Sequence, residues 1–158
     1  MSKNKEIKTN AMRILDRMKI PYSHYTYECE EFTDGVQVAD MLGLPHEKVY
    51  KTLVAQGASR EYFVFVIPIE LDLKKAARAV GEKSVSMIHV KEINSVTGYV
   101  RGGCTAVGMK KQYRTVIDES AESLPSMIVS GGRIGSQIEL APQDLAEASR
   151  AQFVDVLA

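Results

Sequence analysis

Two segments rich in β-forming residues, close together in the sequence, constrain the fold most strongly. They cover residues 49–55 and 62–67 and are separated by the glycine-containing stretch that begins at Gln56. Valine, tyrosine, phenylalanine and isoleucine favour strands, and a connection of this length allows one strand to fold back on the other. The sequence therefore predicts a β-hairpin with a longer turn.

Helices and further strands are predicted on both sides of this hairpin. Apolar residues recur at helical spacing over residues 7–18, and the pattern stops before Pro21, which disfavours helix at the preceding residue. The other predicted helices cover residues 36–42, 73–80, 90–93 and a last segment opened by Pro142. The other predicted strands cover residues 22–27, 85–88, 115–117, 127–129 and 137–140. Because strands outnumber helices and occur in runs, we expect an α/β fold of the α+β kind with a mixed sheet.

The composition is that of one ordinary globular domain, residues 1–158. Hydrophobic residues make up 45% and charged residues 25% of the chain, which argues against disorder. Lys plus Arg number 20 and Asp plus Glu number 20, so any contact with a polyanion must be local. The first residues lack an apolar signal segment, and the longest apolar run is too short to span a bilayer. We therefore expect a cytoplasmic protein with no membrane partner.

Neither the cysteines nor the histidines show the spacing of a metal site. The two cysteines, Cys29 and Cys104, are 75 positions apart, so free thiols are expected. The three histidines are scattered, without two imidazoles on one helix face. Cys104 has no neighbouring histidine in the sequence and is interpreted as a small buried hydrophobe, in preference to a nucleophile. We expect neither a metal nor another cofactor.

Lys51 is the most informative single residue. In an extended segment it shares a face with Val49 and Leu53, so a lysine interrupts an otherwise apolar face. By itself this pattern favours a lysine that protects a sheet edge or reaches out to water. The alternative is an ammonium at the floor of a pocket, where it would hold a phosphate, a ribose hydroxyl or a developing oxyanion.

Two glycine-rich loops are candidates for backbone donors near such a pocket. They are residues 97–104, which contain Gly102 and Gly103, and residues 130–135, which begin at Ser130. Paired glycines let a ligand approach the main chain closely, although each loop is also compatible with a plain surface turn. Two basic clusters are interpreted as solvated faces unless they flank the pocket, where they would hold an RNA backbone. They are Lys74, Lys75 and Arg78, and Lys110, Lys111 and Arg114.

An ordered set of motifs resembles one known family. The motifs are KTNAMR at 8–13, VYKTLV at 49–54, LDLKKAA at 71–77, TGYVRGGC at 97–104, GMKKQY at 108–113, ID at 117–118, VSGG at 129–132 and QIELAPQDL at 137–145. Together they are similar to the YbaK/EbsC family of aminoacyl-tRNA deacylases, also found as the insertion domain of bacterial prolyl-tRNA synthetases. The resemblance covers nearly the whole chain. It implies a mixed, partly barrel-like β-sheet surrounded by helices, with a cleft for the aminoacylated 3′ adenosine.

The resemblance also implies roles for individual residues. Lys51 matches the family's essential lysine and is the predicted catalytic residue. The predicted substrate-binding residues are Tyr27, Thr52, Gly102, Gly103, Ser130 and Asp144. Two departures from the family pattern affect the glycine loops, since Ala106 replaces a proline and Ile134 replaces a cation. We expect the first to loosen its loop and the second to weaken contact with RNA.

The implied function is removal of cysteine mischarged onto tRNA(Pro), with the substrate's own thiol attacking its ester. The implied partner is the tRNA acceptor end, with prolyl-tRNA synthetase as a candidate protein partner and no DNA. Two alternatives stay open at this point. One is an alanyl-tRNA(Pro) deacylase that uses a bound water, and the other is a non-catalytic binding or regulatory module.

Overall fold

The computed structural model describes residues 8–26 and 43–158. The helix predicted at residues 36–42, together with Tyr27 and Cys29, lies outside the described residues. Over the described ranges, the structure contains no helix that is long and apolar enough to cross a membrane.

The described α-helices are α1 (Asn10–Arg17), α2 (Leu73–Val80), α3 (Ile93–Thr97) and α4 (Pro142–Ser149). Their ends follow local chemistry. The hydroxyl of Thr9 accepts a hydrogen bond from the N–H of Met12 at 3.2 Å, and the carboxylate of Asp72 caps α2 in the same way. Gly81 ends α2 in the left-handed conformation at φ 74°, where glycine has no steric penalty. The predicted helices at residues 7–18, 73–80 and after residue 141 are therefore confirmed.

Among the described residues, the larger sheet has five strands, namely β2 (Lys51–Gly57), β3 (Tyr62–Ile67), β4 (Val85–Met87), β5 (Arg114–Asp118) and β8 (Gln152–Val154). Their spatial order is β4-β2-β3-β5-β8. β2 and β3 form the predicted antiparallel hairpin, whereas β3, β5 and β8 run parallel to one another. The sheet is therefore mixed, as expected. β8 was not predicted, because its residues become a strand only through pairing with β5.

Within residues 8–26 and 43–158, the smaller sheet has three antiparallel strands, β1 (Ser23–Thr26), β6 (Met127–Ser130) and β7 (Ser136–Leu140). Their spatial order is β1-β7-β6. A parallel bridge between Val49 and Ile128 links this sheet to the start of β2. The N–H of Tyr50 donates a 2.8 Å hydrogen bond to the carbonyl of Ile128 at the same place. The two sheets therefore continue into each other, which fits the partly barrel-like expectation without full closure.

The main core lies between the two sheets, on what we call the inner face. Side chains from α1, both sheets and α4 meet there, including Met12, Val64, Val66, Ile138 and Leu145. Strand alternation sends Phe63, Phe65 and Ile67 to the opposite, outer face of the larger sheet, where α2 covers them. Ala106, expected to loosen its loop, is only 7% exposed and packs into the main core.

Candidate active site

Lys51 lies on the outer face, where the two sheets join. Its neighbour Tyr50 packs into the main core, while Val49 packs against Ile128 on the other side. Alternation along the extended chain therefore directs Lys51 to the same side as Val49. The side chain is exposed, and within the described residues it forms no ion pair or hydrogen bond. With no partner in that part of the chain, the ammonium is available to a ligand.

Ser130 lies level with Lys51 and on the same face. The bridge between Val49 and Ile128 is parallel, so the residues two positions later in each segment, Lys51 and Ser130, lie next to each other. Residues of β2 and β6 have Cα atoms within 8 Å of each other. The structure therefore brings together these two predicted site residues, which are 79 positions apart in sequence.

Gln137 extends this row of side chains across the smaller sheet. It pairs directly with Ser130 on one side and with Tyr25 on the other, and it is 7% exposed. Directly paired residues share a face, so a polar row runs from Lys51 through Ser130 and Gln137 to Tyr25. We call these four residues the Lys51 row. Sequence analysis assigned no role to Gln137, although a polar residue preceding the apolar Ile138 was a signal that could have drawn attention to it.

The neighbouring row is centred on Glu139. Its carboxylate accepts hydrogen bonds from the hydroxyl of Tyr25 and the ammonium of Lys48, both at 2.6 Å, and from the hydroxyl of Ser126. Burial by itself raises the pKa of Glu139, but these three donors outweigh it and lower the pKa to about 2. Glu139 is therefore a carboxylate at neutral pH. We call Glu139, Tyr25, Lys48 and Ser126 the Glu139 cluster; sequence analysis missed it.

The two predicted glycine loops are packed against each other. A Cβ atom added to Gly103 would lie 2.7 Å from the Cα of Arg133 and 2.9 Å from the nitrogen of Ile134. Only glycine allows this approach of one backbone to the other. Gly102, at φ 87°, provides the turn that precedes it. The second loop begins at Ser130, a member of the Lys51 row, and the first loop contacts it at Gly103. Both loops therefore lie beside the Lys51 row.

The first turn of α1 fastens the second loop and the segment that follows the first loop. The hydroxyl of Thr9 donates to the carbonyl of Gly131 at 2.5 Å, and the amide of Asn10 donates to the carbonyl of Gly108 at 3.2 Å. The motif that begins at Lys8 is therefore a positioning element. Its contacts span more than 90 positions in sequence, so local patterns did not disclose them.

Several amides of the two glycine loops are already used in hydrogen bonds within or next to the loops. The N–H of Gly103 donates to the carbonyl of Val100, that of Gly131 to Ser136, and that of Gly132 to the hydroxyl of Ser130. Within the described residues, the N–H groups of Gly102 and Cys104 donate to no partner. These two amides are among the loop donors that remain for a ligand.

Two predicted residues lie apart from the Lys51 row. Thr52 alternates to the inner face of β2, opposite Lys51, where its partner across the hairpin is Val66. Asp144 lies in the first turn of α4, which follows the C-terminal end of β7. That end pairs with Met127, whereas Ser130 pairs near the other end of β7, at Gln137. Tyr27 lies outside the described residues. The structure thus gathers Lys51, Ser130, Gly102 and Gly103.

Cys104 is a buried free thiol, as the sequence suggested. It is 9% exposed and packs with Val54, Val96 and Tyr99. Burial raises the pKa of its thiol to about 11, so almost no thiolate is present at neutral pH. No cluster of three metal-binding side chains occurs among the described residues.

Comparisons with known proteins converge on one activity. The model of the aminoacyl-tRNA editing domain matches residues 29–148. A relative from Enterococcus faecalis, named as the Cys-tRNA(Pro)/Cys-tRNA(Cys) deacylase EbsC, is 43% identical over 99% of this chain and 98% of its own length.

Solved structures agree on the fold. One, described as a trans-editing enzyme for prolyl-tRNA synthetase, has a TM-score of 0.79 at 21% identity, over 97% of this chain and 99% of its own. The hypothetical protein APE2540 has a TM-score of 0.81 at 23% identity, over 91% and 96% of the two chains. At these identities the likeness concerns the fold alone.

Proposed function

This chain belongs to the aminoacyl-tRNA editing domain family, and on that premise we propose that it hydrolyses mischarged aminoacyl-tRNA, with Cys-tRNA(Pro) as its main substrate. The observation that carries the proposal is the 43% identity over nearly full length to a relative named for this activity. Since its substrate is a charged tRNA, the protein would act in the cytoplasm.

The arrangement of Lys51 supports a catalytic site at the sheet junction. The ammonium is exposed and unpaired among described residues, and Ser130 and the two glycine loops lie beside it. A fixed positive charge of this kind stabilises the oxyanion that forms when an ester carbonyl is attacked, or holds the terminal ribose. Within the described residues, the N–H groups of Gly102 and Cys104 donate to no partner, and we assign them as further donors.

We assign the nucleophile to the substrate. Its cysteine thiolate attacks its own ester carbonyl, a carbon–sulfur bond forms, and the carbon–oxygen bond to the ribose breaks. The thiol proton ends on the released ribose hydroxyl, and the amino acid leaves as a cyclic thiolactone. Cys104 is unsuited to this role because its thiol is buried and has its pKa raised to about 11. The protein then has only to orient the ester and stabilise charge.

The decisive experiment compares tRNA(Pro) charged with cysteine, S-methylcysteine, alanine and serine. Wild-type protein should deacylate the cysteinyl form, and the Cys104→Ala variant should keep most of that activity. The S-methyl form has a similar shape but no ionisable thiol, so it should resist cleavage. The seryl form should also be cleaved slowly, because a hydroxyl ionises far less readily than a thiol of pKa about 8.5.

Other outcomes would redirect the proposal. Preferred cleavage of the alanyl form would indicate a water-dependent alanyl-tRNA deacylase, and rapid cleavage of the S-methyl form would refute attack by the substrate thiol. No turnover of any substrate, with or without prolyl-tRNA synthetase, would indicate a binding module. Turnover only with the synthetase present would make that enzyme a required partner.

A further inference from the structure

A cleft distinct from the Lys51 row lies at the far end of α1. It has a volume of about 330 Å³ and lies between the C-terminal half of α1, the segment 106–115 and the end of α4. Through its first turn, α1 contacts Gly131 of the second glycine loop and Gly108, which itself lines the cleft, so the cleft adjoins the segment that follows the first glycine loop.

The cleft is positively charged. Arg17, Lys111 and Arg150 line it with one acid, Glu147, so its formal charge is three minus one, or plus two. The whole chain has 20 basic and 20 acidic residues, so this charge is a local concentration. An excess of cations on one concave surface attracts phosphate groups.

The three cations have no partner in the described part of the chain. The side chains of Arg17, Lys111 and Arg150 form no ion pair or hydrogen bond there. Other basic side chains are used in the fold, such as Lys75, which pairs with Asp155 at 3.0 Å. Arg114 donates to the carbonyl of Val80 at the end of α2. The cleft cations are therefore free to bind an external anion.

Arg150 occupies a backbone conformation that favours glycine. It ends α4 at φ 58° and ψ 40°, the left-handed region, whereas Gly81 and Gly98 end α2 and α3 in the left-handed region. An arginine there is less stable than a glycine, because its Cβ crowds the following carbonyl. Lys19 and Arg60 also adopt positive φ, so the conformation by itself assigns no role, and Arg150 enters the inference as one of the three cations that line the cleft.

The wall of the cleft is held firmly. The amide of Gln112 donates to the carbonyl of Ser149 at 2.8 Å, which joins this segment to α4. The hydroxyl of Tyr113 donates to the carbonyl of Val96 at 2.6 Å. Lys111 therefore projects from an anchored segment.

We propose that the Arg17, Lys111 and Arg150 cleft binds the phosphate backbone of the tRNA next to its aminoacylated end. The inference rests on the proposed function, which supplies a polyanion whose terminal nucleotide lies at the Lys51 row. The contact is independent of sequence, since the cations meet phosphates and not base edges. It anchors the substrate without taking part in the chemical step.

The test uses a triple variant and a matched control. Arg17→Gln, Lys111→Gln and Arg150→Gly together remove three charges from the cleft. Arg78→Gln, Lys83→Gln and Lys91→Gln together remove three charges from exposed positions elsewhere. Arg150→Gly should not reduce stability, because it relieves the left-handed backbone. Thermal melting checks that both variants fold.

Binding of uncharged tRNA(Pro) at several salt concentrations gives the direct readout. The cleft variant should bind about tenfold or more weakly at low salt, and its salt slope should fall by roughly 2–3, the contribution of about three phosphate contacts. For Cys-tRNA(Pro), KM should rise with kcat unchanged. Cysteinyl adenosine has no phosphate, so its cleavage should be the same as with the wild-type protein.

Several results would overturn the inference. If the control variant loses as much tRNA affinity as the cleft variant, the effect is one of overall charge. If the tRNA affinity and salt slope of the cleft variant are unchanged, the cleft is not a tRNA-binding site. Loss of binding to prolyl-tRNA synthetase with normal tRNA binding would make the cleft a protein-docking surface. If the wild-type protein cleaves neither substrate, the proposed function fails, while the salt dependence still tests the cleft.

Discussion

The Glu139 cluster and the Lys51 row share Tyr25 on one sheet face, yet the lysine that belongs to each is placed in opposite surroundings. In the cluster, one carboxylate receives three hydrogen bonds, including an ion pair with Lys48 whose side chain is 21% exposed. In the row, the ammonium of Lys51 has no partner among described residues. The two lysines are three positions apart in the sequence.

This difference indicates that the Glu139 cluster stabilises the fold, whereas Lys51 is available for function. A satisfied network on a half-buried surface holds its strands together, and breaking it leaves unpaired polar groups. A lysine without partners contributes little to folding, so its retention on a strand face requires another reason. Five predictions test this division between stability and function.

The largest effect is expected at Lys51. Lys51→Ala should lower the deacylation rate by roughly 10²–10³-fold, the scale of losing one key transition-state contact. Its free energy of unfolding should change by less than about 0.5 kcal/mol, because no partner is lost. Single-turnover kinetics and denaturant unfolding measure the two quantities. A folded variant with a near-normal rate would make Lys51 a protector of the sheet edge.

Glu139→Ala should show the reverse pattern. Removing the carboxylate leaves Lys48, Tyr25 and Ser126 without their acceptor, so the unfolding free energy should fall by about 2 kcal/mol. The rate of the variant that remains folded should fall much less than that of Lys51→Ala. A rate loss of 10²-fold without destabilisation would place Glu139 in the catalytic site.

The same carboxylate gives a pH test. Its pKa is lowered from the ordinary 4.5 to about 2, so its stabilising contribution is complete above about pH 4.5 and is lost as the pH falls through 2. The stability difference between wild-type protein and Glu139→Gln should therefore shrink between pH 5 and pH 2. Urea unfolding across that range measures it, and a constant difference would contradict the low pKa.

A smaller effect is expected where the two loops meet beside the Lys51 row. Gly103→Ala places a Cβ atom 2.7 Å from the backbone of Arg133, which should cost about 1–2 kcal/mol and lower the rate by moving the loops apart. Gly81→Ala is the control, since a Cβ there meets nothing within 4 Å and only backbone strain remains. That control should lose stability with no change in rate. Equal rate losses would exclude a specific role for the loop contact.

The smallest effect is expected for Thr105→Val. The hydroxyl of Thr105 is fully buried and has no hydrogen-bond partner in the described residues. Replacing it with a methyl group of similar size should change the melting temperature little or raise it slightly. A loss of unfolding free energy above about 1 kcal/mol would show that this hydroxyl has a hydrogen-bond partner. Hydrogen-bonded polar groups that stabilise the fold would then extend into the loops.

Local patterns predicted most of the secondary structure, because caps, proline, glycine and alternating apolar residues act over a few positions. The hairpin of β2 and β3 and the helix ended by Gly81 are examples. Strand β8 was missed, since its three residues become a strand only through pairing with β5. Lys51 was selected by its family motif, because its own local pattern favoured an edge lysine.

The sequence by itself determined the fold class, the two glycine loops and the lysine on an apolar strand. Only the tertiary structure decided that Lys51 and Ser130 lie side by side, that Gly103 packs on Arg133, and that Glu139 is a paired carboxylate. The physical reason is the range of the interactions. Propensity and capping are local, whereas a shared face, a close backbone approach and an ion pair depend on which distant strands the hydrophobic core brings together.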